Sequence, residues 1–307
     1  MNATASTATQ RRRPTRHSRR RQEEIWGWVC ASPWMLGFLF FTVGPMVFSL
    51  IISTMDWAGY GEMRFVGLAQ WRQAFTDPDT LISLRASFLY AIFAVPAGMI
   101  AALAIALLMN QNVRGKSLLR AIYFMPSVVS GLATTYVFIL IFGKNSMLNG
   151  VLYHLGLPRM PWLTEPGWAR ASIILMGLWS VGTSMIIYLA GLKAVPGHLY
   201  EAAKIDGANA INSFFAITLP MLSPTLFFTL TTGIIGSLQI FTTGYVFGPG
   251  PQNATYFIVL RVWHAAFQWF KMGFASTLAW MLFAIIMVIT VLQLWLAKYW
   301  VYYESAV

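Results

Sequence analysis

The sequence predicts an all-α, polytopic membrane protein with about six transmembrane helices, and three observations carry that prediction. Hydrophobic residues fill 57% of the 307 positions and charged residues only 10%, far from the balance of a soluble domain. Mean hydropathy is +0.61. The apolar residues fall in six runs, each near the roughly 20 residues a helix needs to cross a hydrocarbon layer, separated by segments dense in charge, proline and glycine.

The chain opens on a basic run. Arg11, Arg12, Arg13, Arg16, Arg19, Arg20 and Arg21 supply much of the net charge of +11. A nucleic-acid partner is set aside, because a run of this kind beside an apolar span acts as a cytoplasmic anchor attracted to anionic lipid. Residues 1–24 are therefore expected to form a disordered basic cytoplasmic arm. The uncharged stretch from Ile25 to Met55 is too long for the apolar region of a cleaved secretory signal and reads as an uncleaved first span. Cys30 is the sole cysteine, which excludes an intrachain disulfide framework and a multi-cysteine zinc site.

The six predicted spans are approximately Trp28 to Ser53, Ala86 to Met109, Leu119 to Phe142, Ala171 to Leu192, Leu222 to Phe247, and Phe274 to Ala297. The arginine arm places the N-terminus in the cytoplasm, and an even number of spans returns the C-terminus there. Without the arm, the outer connections would hold more Lys and Arg than the inner ones, so orientation rests on the arm and on the inner loop. Thr54 to Arg85, Gly143 to Arg170 and Gly248 to Gly273 then face outward as connections able to dock a partner. The inner connection from Lys193 to Met221 is long and patterned.

In that loop, Pro196 and Gly197 punctuate the start of a short helix, and Tyr200 to Ile205 favours its continuation. Asp206 and Gly207 stop it. Asp206 is expected to cap a second helix, Ala208 to Thr218, which Leu219-Pro220 closes. Ala202, Ala203 and Ala208 permit close approach, Gly207 permits a sharp bend, and Glu201 offers a carboxylate to a basic partner.

Tyr200-Glu-Ala-Ala-Lys-Ile-Asp-Gly-Ala208, followed by Ile217-Thr-Leu-Pro220, resembles the coupling motif of ABC importer permeases. The resemblance is closest to the sugar-importing branch, the maltose and glycerol-phosphate permease type. It is carried further by Phe124-Met-Pro-Ser-Val-Val-Ser-Gly131, Leu189-Ala-Gly-Leu-Lys-Ala-Val-Pro196 and Gly248-Pro-Gly-Pro-Gln-Asn-Ala-Thr255. It implies a type I importer fold in which residues 25–307 form the permease domain and 194–221 the coupling loop. It also implies that Glu201, Ala202, Ala203, Asp206, Gly207, Ala208, Leu219 and Pro220 meet an ATPase. The implied partners are a second homologous permease, a cytoplasmic ABC ATPase dimer, an extracellular or periplasmic solute-binding protein and the lipid bilayer. On this resemblance the chain is a multi-pass plasma-membrane protein that performs no catalysis and binds no cofactor. ATP and Mg belong to the partner ATPase, and transport runs by alternating access.

Other chemistry finds little support. Gly115-Lys-Ser117 resembles the end of a phosphate-binding loop, but Asn110 stands where that loop needs glycine. His17, His154, His198 and His264 are scattered without metal-ligand spacing. An ion-coupled secondary carrier would need intramembrane acids, and none of the six predicted spans contains Asp or Glu. An ABC importer permease for another solute class stays open as the alternative. A neutral sugar needs hydrogen-bonding groups within the spans, which points to Ser130, Thr134 and Thr135 in the third and Ser237, Gln239 and Thr242 in the fifth. Any one of these hydroxyls can equally serve its own helix.

Overall fold

The computed structural model describes residues 16–111 and 114–302. The chain is helical almost throughout. Five helices are long and apolar enough to cross a membrane, and a bent pair makes a sixth. Up to Ile51 it forms one compact unit and from Ile52 a second.

The first unit begins with α1 (Arg16–Phe38), so helix already occupies the end of the expected arm; residues 1–15 of that arm lie outside the described residues. A wide π-turn, Leu39–Val43, leads into α2 (Gly44–Ile52). The turn closes with the Gly44 N–H donating to the Leu39 carbonyl, one residue ahead of Pro45. Proline lacks an N–H and its ring collides with the carbonyl four residues back; a five-residue turn moves that carbonyl out of line and lets the helix continue.

The second unit opens with a hairpin of β1 (Met55–Asp56) and β2 (Arg64–Phe65) and the short α3 (Ala69–Thr76). Helix α4 (Pro78–Asn110) follows. Its 33 residues are more than a bilayer requires. Asp77 caps it by accepting from the Thr80 N–H at 2.9 Å, with Pro78 in the first turn.

The third predicted span is not continuous. It consists of α5 (Lys116–Phe124), a 3₁₀ turn (Met125–Val128) and, after extended Ser130, α6 (Gly131–Phe142). Pro126 is the physical cause, since it cannot donate within the ladder. After α7 (Met147–His154), the fourth span is also divided, into α8 (Pro166–Trp179) and α9 (Gly182–Ala194), bent by 52°.

The inner loop holds α10 (Gly197–Ile205), then α11 (Ala210–Ser213), a π-turn (Phe214–Thr218) and α12 (Leu219–Met221). Two expectations are corrected here. Asn209, not Asp206, caps the second helix, accepting from the Asn212 N–H at 2.8 Å. Pro220 does not close it, because the π-turn just before the proline lets helix run on to Met221, as it does at Pro45.

The fifth span is α13 (Ser223–Leu238), interrupted at Gln239–Phe241 and resumed as α14 (Thr242–Phe247). A 3₁₀ turn (Pro251–Asn253), α15 (Ile258–Trp263) and a π-turn (His264–Gln268) precede the last span, α16 (Met272–Trp300).

Helix α4 is the post around which α8, α9, α13 and α15 pack. Its buried face includes Ser83, Ala86, Ser87, Ala91, Ala102 and Ala106, and such small side chains let neighbouring backbones come close. At its Asn110 end the core is Met109, Met185, Tyr188, Leu189, Leu192 and Leu222. Towards its Pro78 end the core is built from Leu238, Ile258, Ala265, Phe274, Leu278 and Met281. In the segment Gly248 to Gly273, Phe257, Ile258, Leu260 and Ala265 lie at the heart of the packing, while Phe267, Trp269 and Phe270 stay exposed.

Glycine marks a close helix crossing. A Cβ on Gly182 would overlap the Tyr123 carbonyl oxygen and lie 2.8 Å from Phe124 Cα, so the start of α9 sits directly on the end of α5. Gly182→Ala is therefore expected to destabilise the protein by about 1–3 kcal/mol. Gly150→Ala, in α7 with nothing within 4 Å, should be neutral or gain up to about 1 kcal/mol. Thermal unfolding of the two purified variants in one detergent checks the contrast; equal melting temperatures would contradict this packing.

Candidate functional site

Three places combine unusual chemistry with unusual backbone: the inner loop, a hollow where three spans break, and a charged cluster at the Pro78 end of α4.

In the inner loop, α10 ends in a Schellman turn. The Ala208 N–H donates to the Ala203 carbonyl at 2.9 Å and the Gly207 N–H to that of Lys204 at 3.2 Å, with Gly207 at φ +78. Glycine is needed there because a side chain in the left-handed region costs roughly 1–2 kcal/mol. The Tyr200 and Thr218 hydroxyls are hydrogen-bonded at 2.9 Å, tying α10 to the second helix. The exit is tied as well: Ser223 Oγ donates to the Pro220 carbonyl at 2.6 Å and accepts from the Tyr302 N–H at 2.8 Å. Glu201, Ala202 and Asp206 are exposed; Ala203, Ala208, Leu219 and Pro220 are half-buried. Ile205 is 87% exposed, and Ile211 and Phe215 are exposed too. The loop is thus a braced hairpin presenting apolar side chains and two carboxylates.

The breaks in the spans meet around Tyr90 of α4. Two hollows of about 260 and 350 Å³ share Tyr90, Gly177 and Ser180 as lining. Ser127, Val129 and Gly131 come from the break between α5 and α6, Ser180 and Val181 from that between α8 and α9, and Ile240 and Thr243 from that between α13 and α14. The coincidence has a physical reason. Irregular backbone at membrane depth leaves peptide groups unpaired, which is tolerable only inside protein or beside a polar cavity. No charged side chain lines either hollow.

The sequence-derived pathway residues distribute unevenly. Thr134 and Ser237 line the hollows. Thr135 is fully buried and donates to the Gly131 carbonyl at 2.7 Å. Ser130 is the residue before α6, Gln239 follows α13, and Thr242 opens α14; all three are exposed. Sequence reasoning passed over Tyr90, Ser180 and Thr243. Pro126 and the Gly177 to Gly182 segment were the available signals of the breaks.

The third place is built on Arg261 of α15, only 4% exposed. Its guanidinium is paired with Asp77, lies 3.4 Å from Asp79, and donates from Nε to Thr80 Oγ1 at 3.0 Å and from Nη1 to the Tyr256 hydroxyl at 3.3 Å. The Trp269 ring stacks on it at 5.3 Å. Burial pushes the Asp77 carboxyl up, but the Thr80 hydrogen bonds and the Arg261 charge outweigh it and hold the carboxyl below its ordinary value. His264, 3.3 Å from the Tyr256 hydroxyl, is held below its usual range by burial and by Arg261. The cluster joins the start of α4 to the segment before α16.

A helical membrane bundle with a braced projecting loop and an uncharged hollow between broken spans is the architecture of a transport permease. Residues 94–301 match the family described as binding-protein-dependent transport system inner membrane component, and the chain belongs to that family. It is 35% identical to a Bacillus subtilis protein named "Probable ABC transporter permease protein YesP", over 93% of this chain and 94% of that one. It is 31% identical to the lactose transport system permease protein LacF of Rhizobium radiobacter, over 92% and 98%. Its fold is similar to that of a chain in the crystal structure of a bacterial alginate ABC transporter in complex with alginate pentasaccharide-bound periplasmic protein, with TM-score 0.79 at 20% identity, covering 91% and 96%.

Breaking the buried pair is expected to matter more than removing its exposed neighbour. Asp77→Ala leaves a buried guanidinium short of its counter-charge and should cost about 3–5 kcal/mol. Asp79→Ala, at a carboxylate 59% exposed, should cost about 0–1 kcal/mol. Denaturation of the two variants in detergent measures the difference.

Both depressed pKa values act in one direction with pH. A group whose folded pKa lies below its unfolded value contributes stability above the unfolded value and loses it as pH falls. The His264 contribution should decline below its ordinary 6.5 and the Asp77 contribution below 3.8. Melting temperature should therefore drop between pH 7 and 5, and His264→Gln should flatten that part of the curve.

Proposed function

We propose that this chain is the permease subunit of an ATP-driven carbohydrate importer working by alternating access. The observation that carries the reading is the inner loop: residues 200–208 and 217–220 hold the Glu-Ala-Ala, Gly and Leu-Pro pattern on an exposed hairpin braced at both ends. LacF, by its name, belongs to a lactose transport system, which supports the substrate class.

On this reading a second permease completes the pathway, and an ATPase dimer binds ATP and Mg on the cytoplasmic side. A solute-binding protein delivers sugar from outside. Glu201, Ala202, Ala203, Asp206, Gly207, Ala208, Leu219 and Pro220 couple to the ATPase. Their hairpin lies between α9 and α13 in the chain, so a push on it passes along two helices whose far ends line the hollow. Thr134 and Ser237 take part in the sugar pathway. Both termini lie in the cytoplasm, with the Arg261 cluster on the outer face. An ion-coupled carrier fits less well, since neither hollow is lined by a carboxylate.

Gly207→Val tests the coupling role. Its Cβ meets nothing within 4 Å, so the variant should insert normally while the left-handed turn is lost. Uptake in cells expressing the full transporter should fall to background, and the ATPase should no longer co-purify with the permease. Normal uptake would overturn the assignment.

A further inference from the structure

We propose that the connection between α6 and α8 binds the phosphate of an anionic phospholipid, in a pocket lined by Lys144 and Arg159. The first observation is how that pocket is built. It encloses about 260 Å³, and Phe142, Asn149, Trp162 and Thr164 line it beside the two cations. Asn149 is buried and ties together two distant stretches of the connection. Its Nδ2 donates to the Lys144 carbonyl at 3.2 Å and to that of Met160 at 3.1 Å. Its Oδ1 accepts from the Met160 N–H at 2.9 Å and from Trp162 Nε1 at 3.2 Å. One side chain thus spends its hydrogen-bonding capacity on holding the backbone of Lys144 beside that of Met160, next in the chain to Arg159.

The second observation is charge. Lys144 and Arg159 are exposed, and neither has an ion pair among the described residues. Glu165 is the only acid between Gly143 and Glu165, and it does not line the pocket. The Arg159 guanidinium is held over the Tyr153 ring, 5.1 Å from its centre. Two cations set on one small pocket repel each other until an anion lies between them, and an arginine fork suits a phosphate.

The third observation separates a lipid from a soluble anion. Lys144 stands two residues beyond the end of α6. Along that helix Ala133, Tyr136, Val137 and Leu140 are exposed at i, i+3, i+4 and i+7, which makes one apolar face. Leu140, four residues before Lys144, is 75% exposed. A soluble anion would use the pocket alone, whereas a molecule with an anionic head and apolar tails uses the pocket and the stripe leading away from it. Tyr153 and Trp162 are of the types that settle at headgroup level. A zwitterionic headgroup brings a cation of its own towards Lys144 and Arg159, so the site favours a net negative one. The bent span α8–α9 puts this connection at the opposite end from the inner loop, where the topology gives no other reason for unpaired cations.

The test uses the full-length protein, purified in mild detergent and stripped of lipid. It is titrated with phosphatidylglycerol carrying a fluorescent acyl chain and, separately, with phosphatidylethanolamine carrying the same chains. Phosphatidylglycerol should bind at least tenfold tighter. Replacing both cations, Lys144→Gln with Arg159→Gln, should weaken it at least tenfold, to the level of the zwitterionic lipid. Arg159→Lys, which keeps the charge and loses the fork, should give an intermediate loss. Arg72→Gln, at an exposed cation in the connection before α4, should leave binding unchanged; an unaltered melting temperature reports that each variant has folded. Equal binding of the two lipids, no loss in the double variant, or the same loss in Arg72→Gln would overturn the inference. Displacement of the lipid by soluble glycerol phosphate at equal concentration would make the occupant a free anion and overturn it too. So would a double variant that kept the lipid and lost capture of the solute-binding protein, since the pocket would then be a docking surface. None of these outcomes bears on the importer reading, which ATP-driven uptake tests separately.

Discussion

Inside hydrocarbon, every backbone N–H and C=O needs a partner, and this constraint organises the rest of the molecule. It makes the chain helical, and it decides where helix is allowed to stop. Three spans stop within the bundle, and their loose ends gather at two adjoining hollows beside Tyr90 instead of scattering across surfaces that would face lipid. Pro45 and Pro220 are absorbed by π-turns, at Leu39–Val43 and Phe214–Thr218, which keep the ladder running, while Pro33 and Pro96 sit inside α1 and α4 without one. The same residue type therefore has two outcomes. Pro45 and Pro220 are accommodated, whereas Pro126 opens the backbone where a cavity can take it.

The long helix α4 holds these breaks in register. Alanines along its buried face admit α9 and α13 closely, and Tyr90 projects from it into the hollow. Its start is fixed by Asp77, which caps the helix and pairs with Arg261 from a segment 184 residues away. A charge pair with aromatic cover is a directional anchor, which apolar packing against lipid-like side chains is not. Ser87 adds a second fixed point by accepting from the Ile258 N–H at 2.9 Å.

At the other end of α4 the construction serves a different purpose. The inner hairpin is braced by Tyr200 with Thr218 and by Ser223 with the Tyr302 backbone, yet its outer face carries Ile205, Ile211 and Phe215 in the open. Exposed apolar side chains on a braced base are the geometry that the proposed coupling role needs. The helices leaving the hairpin, α9 and α13, are also those whose broken ends line the hollow. One covalent path therefore joins the two regions.

Composition and the spacing of apolar runs determined the class of the fold, because burial of about 20 residues per crossing leaves a one-dimensional record. The shape of the loop between α9 and α13 was equally legible, since the stop of α10 at Asp206 and the left-handed turn at Gly207 follow from local backbone geometry. Thr134 and Ser237 were identifiable as polar groups in apolar runs, although nothing local separated them from Thr135, whose hydroxyl is spent on its own helix. The breaks at Ser130, Ser180 and Gln239 escape a hydropathy window, which averages over three or four interrupted residues, and only Pro126 and the Gly177 to Gly182 segment signalled the first two locally. Arg261 read as a loop cation and Asp77 as a loop acid. Only the tertiary structure brought them together and converted the Gly248 to Gly273 connection into core, since the stability of a buried charge depends on a partner that sequence distance conceals.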